Sequence, residues 1–158
     1  MVFKVGDKAV YAAHGIGEVT GIEKRELFGR KQKFYILRLL DSGMIVMVPM
    51  DASKNLRTII PKSEVKKVFA VLKQQTVSIP KLTWNRRHRV YMDKLNSGSV
   101  YQVAEVLREL CLLRGRKELS FSERRVLDTA RSMLVRELAL ARRVRESRIE
   151  KELDAIFG

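Results

Sequence analysis

The run Thr83-Trp84-Asn85-Arg86-Arg87-His88-Arg89 sets the only tryptophan of the chain among three arginines. An indole is a broad apolar plate that can stack on bases or wedge between them. A guanidinium is a planar fork of donors that matches phosphate oxygens. Together they suit contact with nucleic acid, made through the backbone and not by reading sequence. A second reading stays open, because Trp84, His88, Tyr91, Met92 and Leu95 recur on one 3.6-residue stripe, as core residues of a helix do. The place of Trp84 in a first helical turn, after Pro80 and beside open N–H groups, suits a wedge. Arg86, Arg87 and Arg89 are the DNA-contact candidates beside it. Arg142-Arg143-Val144-Arg145 reads as a solvated helix face.

Catalysis finds few residues to work with. His14 and His88 are the only histidines, and neither has a cysteine or carboxylate at ligand spacing, so no metal site is expected. Gly15-Ile16-Gly17 lacks the following helix N-terminus that a phosphate loop needs. Glu150 and Asp154 lie four apart beside Arg148 and Lys151, the pattern of a charged helix surface. The single cysteine, Cys111, sits in Leu110-Cys111-Leu112-Leu113 and excludes an internal disulfide; apolar neighbours suppress thiolate formation. The chain reads as no enzyme, with no cofactor and no metal.

The elements that carry these residues fall into two textures. With 32 Lys+Arg against 18 Asp+Glu the net charge is +14, a surface that attracts polyanions. Since 46% of residues are hydrophobic, the chain can still build cores. Glycines at positions 6, 15, 17, 21, 29 and 43 break the first sixty residues into short apolar runs. That pattern predicts five strands, at about Lys8 to Ala12, Gly17 to Leu27, Gln32 to Leu40, Met44 to Pro49 and Leu56 to Ile59. Phe28-Gly29-Arg30 and Asp41-Ser42-Gly43 supply the hairpin turns. Phe34, Ile36 and Leu39 do not alternate, as in a strand bent round a small barrel, which leaves an edge free for a protein partner.

After Pro61 the periods become helical. Helices are predicted from Glu64 to Gln75 with Ser63 as cap, from Thr83 to a stop at Leu95-Asn96-Ser97-Gly98, and from Ser99 through Val103, Ala104, Leu107 and Leu110. Ser78-Ile79-Pro80 breaks the chain between the first two. Ser120-Phe121-Ser122-Glu123 has capping-box spacing and starts a long helix, and a last one runs from Glu146 to Phe157. The expected fold class is α+β in two domains: a Tudor- or SH3-like β barrel over residues 1–60, then a compact all-α domain over 61–158. Residues 1–60 carry 10 basic and 6 acidic side chains, residues 61–158 carry 22 and 12, so the helical part holds most of the positive field. No apolar run is long enough for a membrane span and the N-terminal residues lack a signal peptide's pattern, so a cytoplasmic monomer is expected.

Phe3-Lys4-Val5-Gly6-Asp7-Lys8-Ala9-Val10-Tyr11, then His14-Gly15-Ile16-Gly17 and Val46-Met47-Val48-Pro49, resemble the CarD/CdnL family of bacterial transcription regulators. In the second half Trp84-Asn85-Arg86-Arg87, Lys94-Leu95, Ser97-Gly98, Val103-Ala104-Glu105-Val106-Leu107-Arg108, Leu119-Ser120 and Glu123-Arg124-Arg125 follow the same family in order and spacing. The N-terminal half alone is similar to the polymerase-interacting domain of transcription-repair coupling factors, which continue into motor domains instead. The resemblance implies a Tudor-like module that docks on the RNA polymerase β subunit and a helical domain that touches promoter DNA. It makes Trp84 a minor-groove wedge at the upstream edge of the melted bubble, with Met92 packed in support. Arg86 and Arg89 match backbone-contacting positions, and so does Arg124. It places Arg25, Leu37, Met47 and Pro49 at the polymerase contact, although some members carry a basic residue where this chain has Met47. Residues 142–158 receive no role.

Two other classes compete. A free-standing RNA- or ribosome-binding protein also combines a small barrel with a basic helical domain. A scaffold would hold Trp84 in its core and use its charges for solubility alone.

Overall fold

Short strands joined by tight turns occupy the first part of the chain and helices the second. The structure, a computed structural model, describes residues 3–12, 14–75 and 81–158. It divides into two compact units, Met1–Ile59 and Ile60–Gly158.

In the first unit β1 (Lys8–Tyr11), β2 (Gly15–Leu27), β3 (Arg30–Leu39), β4 (Ile45–Pro49) and β5 (Leu56–Thr58) form one antiparallel sheet, ordered β4-β3-β2-β1-β5. A 3-10 turn, Met50–Asn55, joins the last two strands, and the order is that of the SH3- and Tudor-like barrels expected from the sequence. The pairing of β2 with β3 shifts between Val19 and Gly21, a bulge that bends both strands. Gly17 is needed where β2 crosses closest to β3: a Cβ there would stand 3.3 Å from the Arg38 carbonyl oxygen and from Leu37. The core of this unit is Phe3, Ala9, Val19, Tyr35, Leu37, Val48 and Leu56. Phe3 rests edge-on against Tyr35, and its N–H donates to the Tyr35 hydroxyl at 3.2 Å. Phe34 and Tyr35 are consecutive yet both buried, so β3 is covered on both faces at that point.

The second unit consists of α1 (Val65–Leu72), α2 (Trp84–Leu95), α3 (Val100–Arg114), α4 (Phe121–Arg142) and α5 (Glu146–Phe157). Helix α3 packs against α1, α2 and α4, while α5 lies on α4. The expected stripe of α3 is buried, and Val106 joins it because a helix with three neighbours is covered on more than one face. Its Arg108 is drawn in as well, donating to the Val71 carbonyl at 3.2 Å and the Gln74 side chain at 2.9 Å. The Ile60 N–H donates to Glu137 at 3.1 Å and so fixes the start of the unit to α4.

Several expected ends are corrected. Ser63 caps nothing: it lies inside a 3-10 turn, Lys62–Glu64, with Pro61 ahead of it, and the helix is the shorter Val65–Leu72. Thr83 and Ser99 stand at N-cap positions with extended backbone, but neither side chain makes the capping hydrogen bond. Ser120 does cap α4, accepting from the Glu123 N–H at 3.2 Å while Glu123 accepts from the Ser120 N–H at 3.0 Å. Gly98, at φ 82°, follows the end of α2 as expected. The break expected at Ser78-Ile79-Pro80 lies outside the described residues. Arg142 belongs to no solvated face, since it lies 5.0 Å over the Phe69 ring and is paired with Glu152.

Candidate nucleic-acid interface and sheet edge

Helix α2 is mostly polar, and only Tyr91 and Leu95 along its twelve residues are buried. Trp84, in its first turn, is half-buried and rests on the edge of the helical core, as Met92 does. Its ring centre lies 5.4 Å from that of His88 and 6.3 Å from that of Tyr91. The indole is thus neither free nor enclosed: one part is seated on protein and the rest meets solvent.

Arg87 determines how the ring is held. Its guanidinium lies 5.2 Å over Trp84 and 5.6 Å over Tyr91, and it donates to Glu123 at 2.9 Å. Glu123 is 3% exposed and also accepts from Lys117 at 3.2 Å, besides closing the capping box of α4. Burial alone would raise the Glu123 carboxyl, but hydrogen bonds from Ser120, Arg87 and Lys117 prevail and bring it down to about 2. Burial likewise opposes the charge on Arg87, and Glu123 with Tyr91 more than offsets it, so the guanidinium is held above its ordinary value. Burial pushes the Tyr91 phenol up to about 12. The result is a stack of Trp84, Arg87 and Tyr91 clamped to the N-terminus of α4 by one carboxylate.

The three arginines therefore divide. Arg87 is turned inward, stacked on Trp84 and Tyr91 and paired with Glu123, which corrects the expectation that it faces DNA. Arg86 and Arg89 lie on the side of α2 away from the core, are exposed, and make no ion pair among the described residues. Asp93 shares that outward side and reduces its positive field. Arg124 is exposed in the first turn of α4.

Sequence reasoning missed two residues. Glu123 was visible only as half of a capping box, and nothing local showed that its second oxygen would reach Arg87, 36 positions away. Arg125 lines a groove between α2 and α4 with His88, Met92, Ser122 and Thr129, and its guanidinium stands 5.9 Å over the exposed Phe121 ring. The adjacent Arg124-Arg125 pair was legible as charge, but not which of the two would enter the groove.

On the sheet, paired residues share a face. Gly21, Ile36 and Met47 form one row on the face opposite Tyr35 and Leu37, and Glu23, Phe34 and Pro49 the next, in which Phe34 is itself buried. Arg25 stands opposite Gln32 on that same face and pairs with Glu23 at 3.2 Å. Ile45 and Met47 are 65% and 36% exposed on β4, a terminal strand of the sheet. Arg25, Met47 and Pro49 thus lie on one outward face next to a free edge. Leu37 does not join them, because it is 0% exposed and belongs to the inward row with Val19 and Val46. A side chain with no accessible surface makes no contact with a partner, so the expectation for Leu37 is corrected to core.

His14 stacks on Tyr11 at 4.6 Å, and burial pushes the Cys111 thiol upward, away from the thiolate. Among the described residues no helix is long and apolar enough to cross a membrane.

The model of the "CarD, C-terminal domain" matches residues 67–154, and that of the "CarD-like/TRCF RID domain" matches residues 3–60. YdeB, a candidate transcription factor of Bacillus subtilis (strain 168), is 32% identical over 151 residues, covering 94% of this chain and 98% of that protein. The solved structure of CdnLNt from Myxococcus xanthus is 50% identical over 38% of this chain and 87% of its own, with a TM-score of 0.34.

Proposed function

The chain belongs to the CarD family of transcription factors with an RNA-polymerase-interacting domain, and from that membership we propose that it stabilises open promoter complexes. The reading assigns residues 1–60 to the polymerase β subunit and residues 61–158 to promoter DNA, with no catalytic step. The observation that carries it is the setting of Trp84: a half-buried indole braced by Arg87 and flanked by two exposed, outward-facing arginines. A core tryptophan needs no such brace, and a freely exposed one would rotate. Partly seated and partly open, the ring can enter an unstacked base step without first being ordered.

Energetically, a wedge that fits only melted DNA favours the open state by its difference in contact between the two states. Each ~1.4 kcal/mol of such preference is tenfold in population. Arg86 and Arg89 would hold the backbone beside the wedge, which needs no base-specific contact. Attachment through the sheet face of Arg25, Met47 and Pro49 raises the local concentration of the helical unit at the promoter, so modest intrinsic DNA affinity suffices.

Open-complex lifetime on a linear promoter, measured after adding a competitor, tests the reading. Trp84→Ala should shorten the lifetime by roughly tenfold, the scale of one lost stacking contact, while the variant still co-purifies with the β subunit. An unchanged lifetime from a folded, polymerase-bound variant would refute the wedge.

A further inference from the structure

The far end of the β2–β3 hairpin carries an arrangement that neither the polymerase contact nor the wedge uses. Phe28 is 103% exposed at its tip. Phe28 has φ 52° and Gly29 φ 76°, the pair of positive values that a two-residue turn of this hand requires between the paired Leu27 and Arg30. Asn-Gly or Asp-Gly fills such a turn without strain. A phenyl side chain is a poor choice there on both counts, conformation and exposure.

The strands behind the tip are strongly basic. From Lys24 to Lys33 they hold five cations against one carboxylate, Glu26. Lys24 and Lys33 stand directly opposite each other, and like charges in that position repel. Neither makes an ion pair among the described residues, and both are exposed, as are Arg30 and Lys31. Lys31, Lys24 and Lys33 share one face of the ribbon with Glu26, which stands opposite Lys31, and Phe28 lies some four residues, roughly 13 Å, beyond Lys24.

An exposed ring and a pair of directly opposed like charges both cost stability in the isolated chain, and one occupant offsets both costs. We infer that the hairpin end is a second nucleic-acid contact, binding an unpaired strand with phosphates on Lys24, Lys31 and Lys33 and a base stacked on Phe28. An acidic protein surface would neutralise the lysines but leave the ring without a stacking partner. A duplex would offer phosphates but keep its bases enclosed. This contact lies outside the proposed wedge site and does not depend on it.

The test uses the full-length chain and fluorescein-labelled oligo-dT, oligo-U and a duplex of equal length, read by anisotropy over a range of salt. Four proteins are compared: the wild type, the double variant Lys24→Gln/Lys33→Gln, Phe28→Asn, and a control, Lys66→Gln/Lys67→Gln, that removes the same charge from the exposed side of α1. Trp84, Arg86 and Arg89 are intact in all four, so failure of the wedge cannot imitate failure here. The hairpin double variant should flatten the slope of log affinity against log salt by up to about 1.4, at roughly 0.7 per phosphate contact on a single strand, and the control should flatten it less. Phe28→Asn should bind the single strands about tenfold more weakly while melting at a higher temperature than wild type. Loss on oligo-dT alone, or on oligo-U alone, identifies the natural strand as DNA or RNA. Equal effects of the two double variants would overturn the inference, and so would wild-type binding by Phe28→Asn or losses confined to the duplex.

Discussion

At the scale of single residues, Glu123 ties the Arg87 brace of the proposed DNA site to the start of α4. It closes the cap of α4, takes Lys117, and holds Arg87 against Trp84. Its folded value of about 2 lies below its ordinary 4.5, so ionised Glu123 stabilises the fold fully above pH 4.5, and that stabilisation fades as pH falls toward 2. A shift of this size corresponds to about 3 kcal/mol. Glu123→Gln should therefore lower unfolding free energy by roughly 3 kcal/mol at pH 7. Its deficit relative to wild type should shrink between pH 4.5 and 2, as urea titrations at several pH values would reveal. A constant deficit over that range would mean that the loss came from packing and not from charge. Local reading could name Ser120 and Glu123 as a cap, because a cap is a three-residue relation. It could not orient Arg87, whose partner arrives from a distant part of the chain. Periodicity had offered Trp84 as core and its first-turn position as a wedge, and the half-buried ring shares features of both.

At the scale of elements, strand and helix spans were legible wherever a local rule had no competitor. Glycine-marked turns fixed the five strands to within a few residues, and Glu146–Phe157 agrees with its sequence reading at both ends. Ser63 failed because Pro61 and the following 3-10 turn satisfied the chain in another way, a choice that side-chain identity alone does not disclose. Leu37 came with the family resemblance and not from alternation, and β3, covered on both faces near Phe34 and Tyr35, offered no clean phase against which to check it. The bulge in the partner strand moves the pairing register as well. The corrected phase separates two neighbouring substitutions. Leu37→Ala should destabilise the fold by about 2–5 kcal/mol as a core truncation. Met47→Asp should leave the thermal midpoint nearly unchanged and weaken capture of the polymerase β subunit. Melting curves and co-purification of both variants would distinguish them, and an unstable Met47→Asp or a weakly bound but stable Leu37→Ala would reverse the assignment of faces.

At the scale of the whole molecule, two units share one charge of +14. The charge was the most legible property of the sequence and the least specific, because any strongly basic protein binds DNA more weakly as salt rises. What the residue types could not express was division of labour among like charges: Arg87 and Arg142 brace the fold, whereas Arg86 and Arg89 remain available. The free edge of β4 has a further consequence. A terminal strand bearing exposed Ile45 and Met47 is a template onto which a second copy of the same strand could add, the usual origin of edge-to-edge aggregation. Mutual repulsion between highly charged copies opposes that encounter, and repulsion is what salt removes. Light scattering of the free protein should accordingly rise with ionic strength while DNA binding falls, and Ile45→Lys should suppress the rise. The positive surface would then act as a guard, keeping an adhesive edge apart from its own kind until the intended partner covers it.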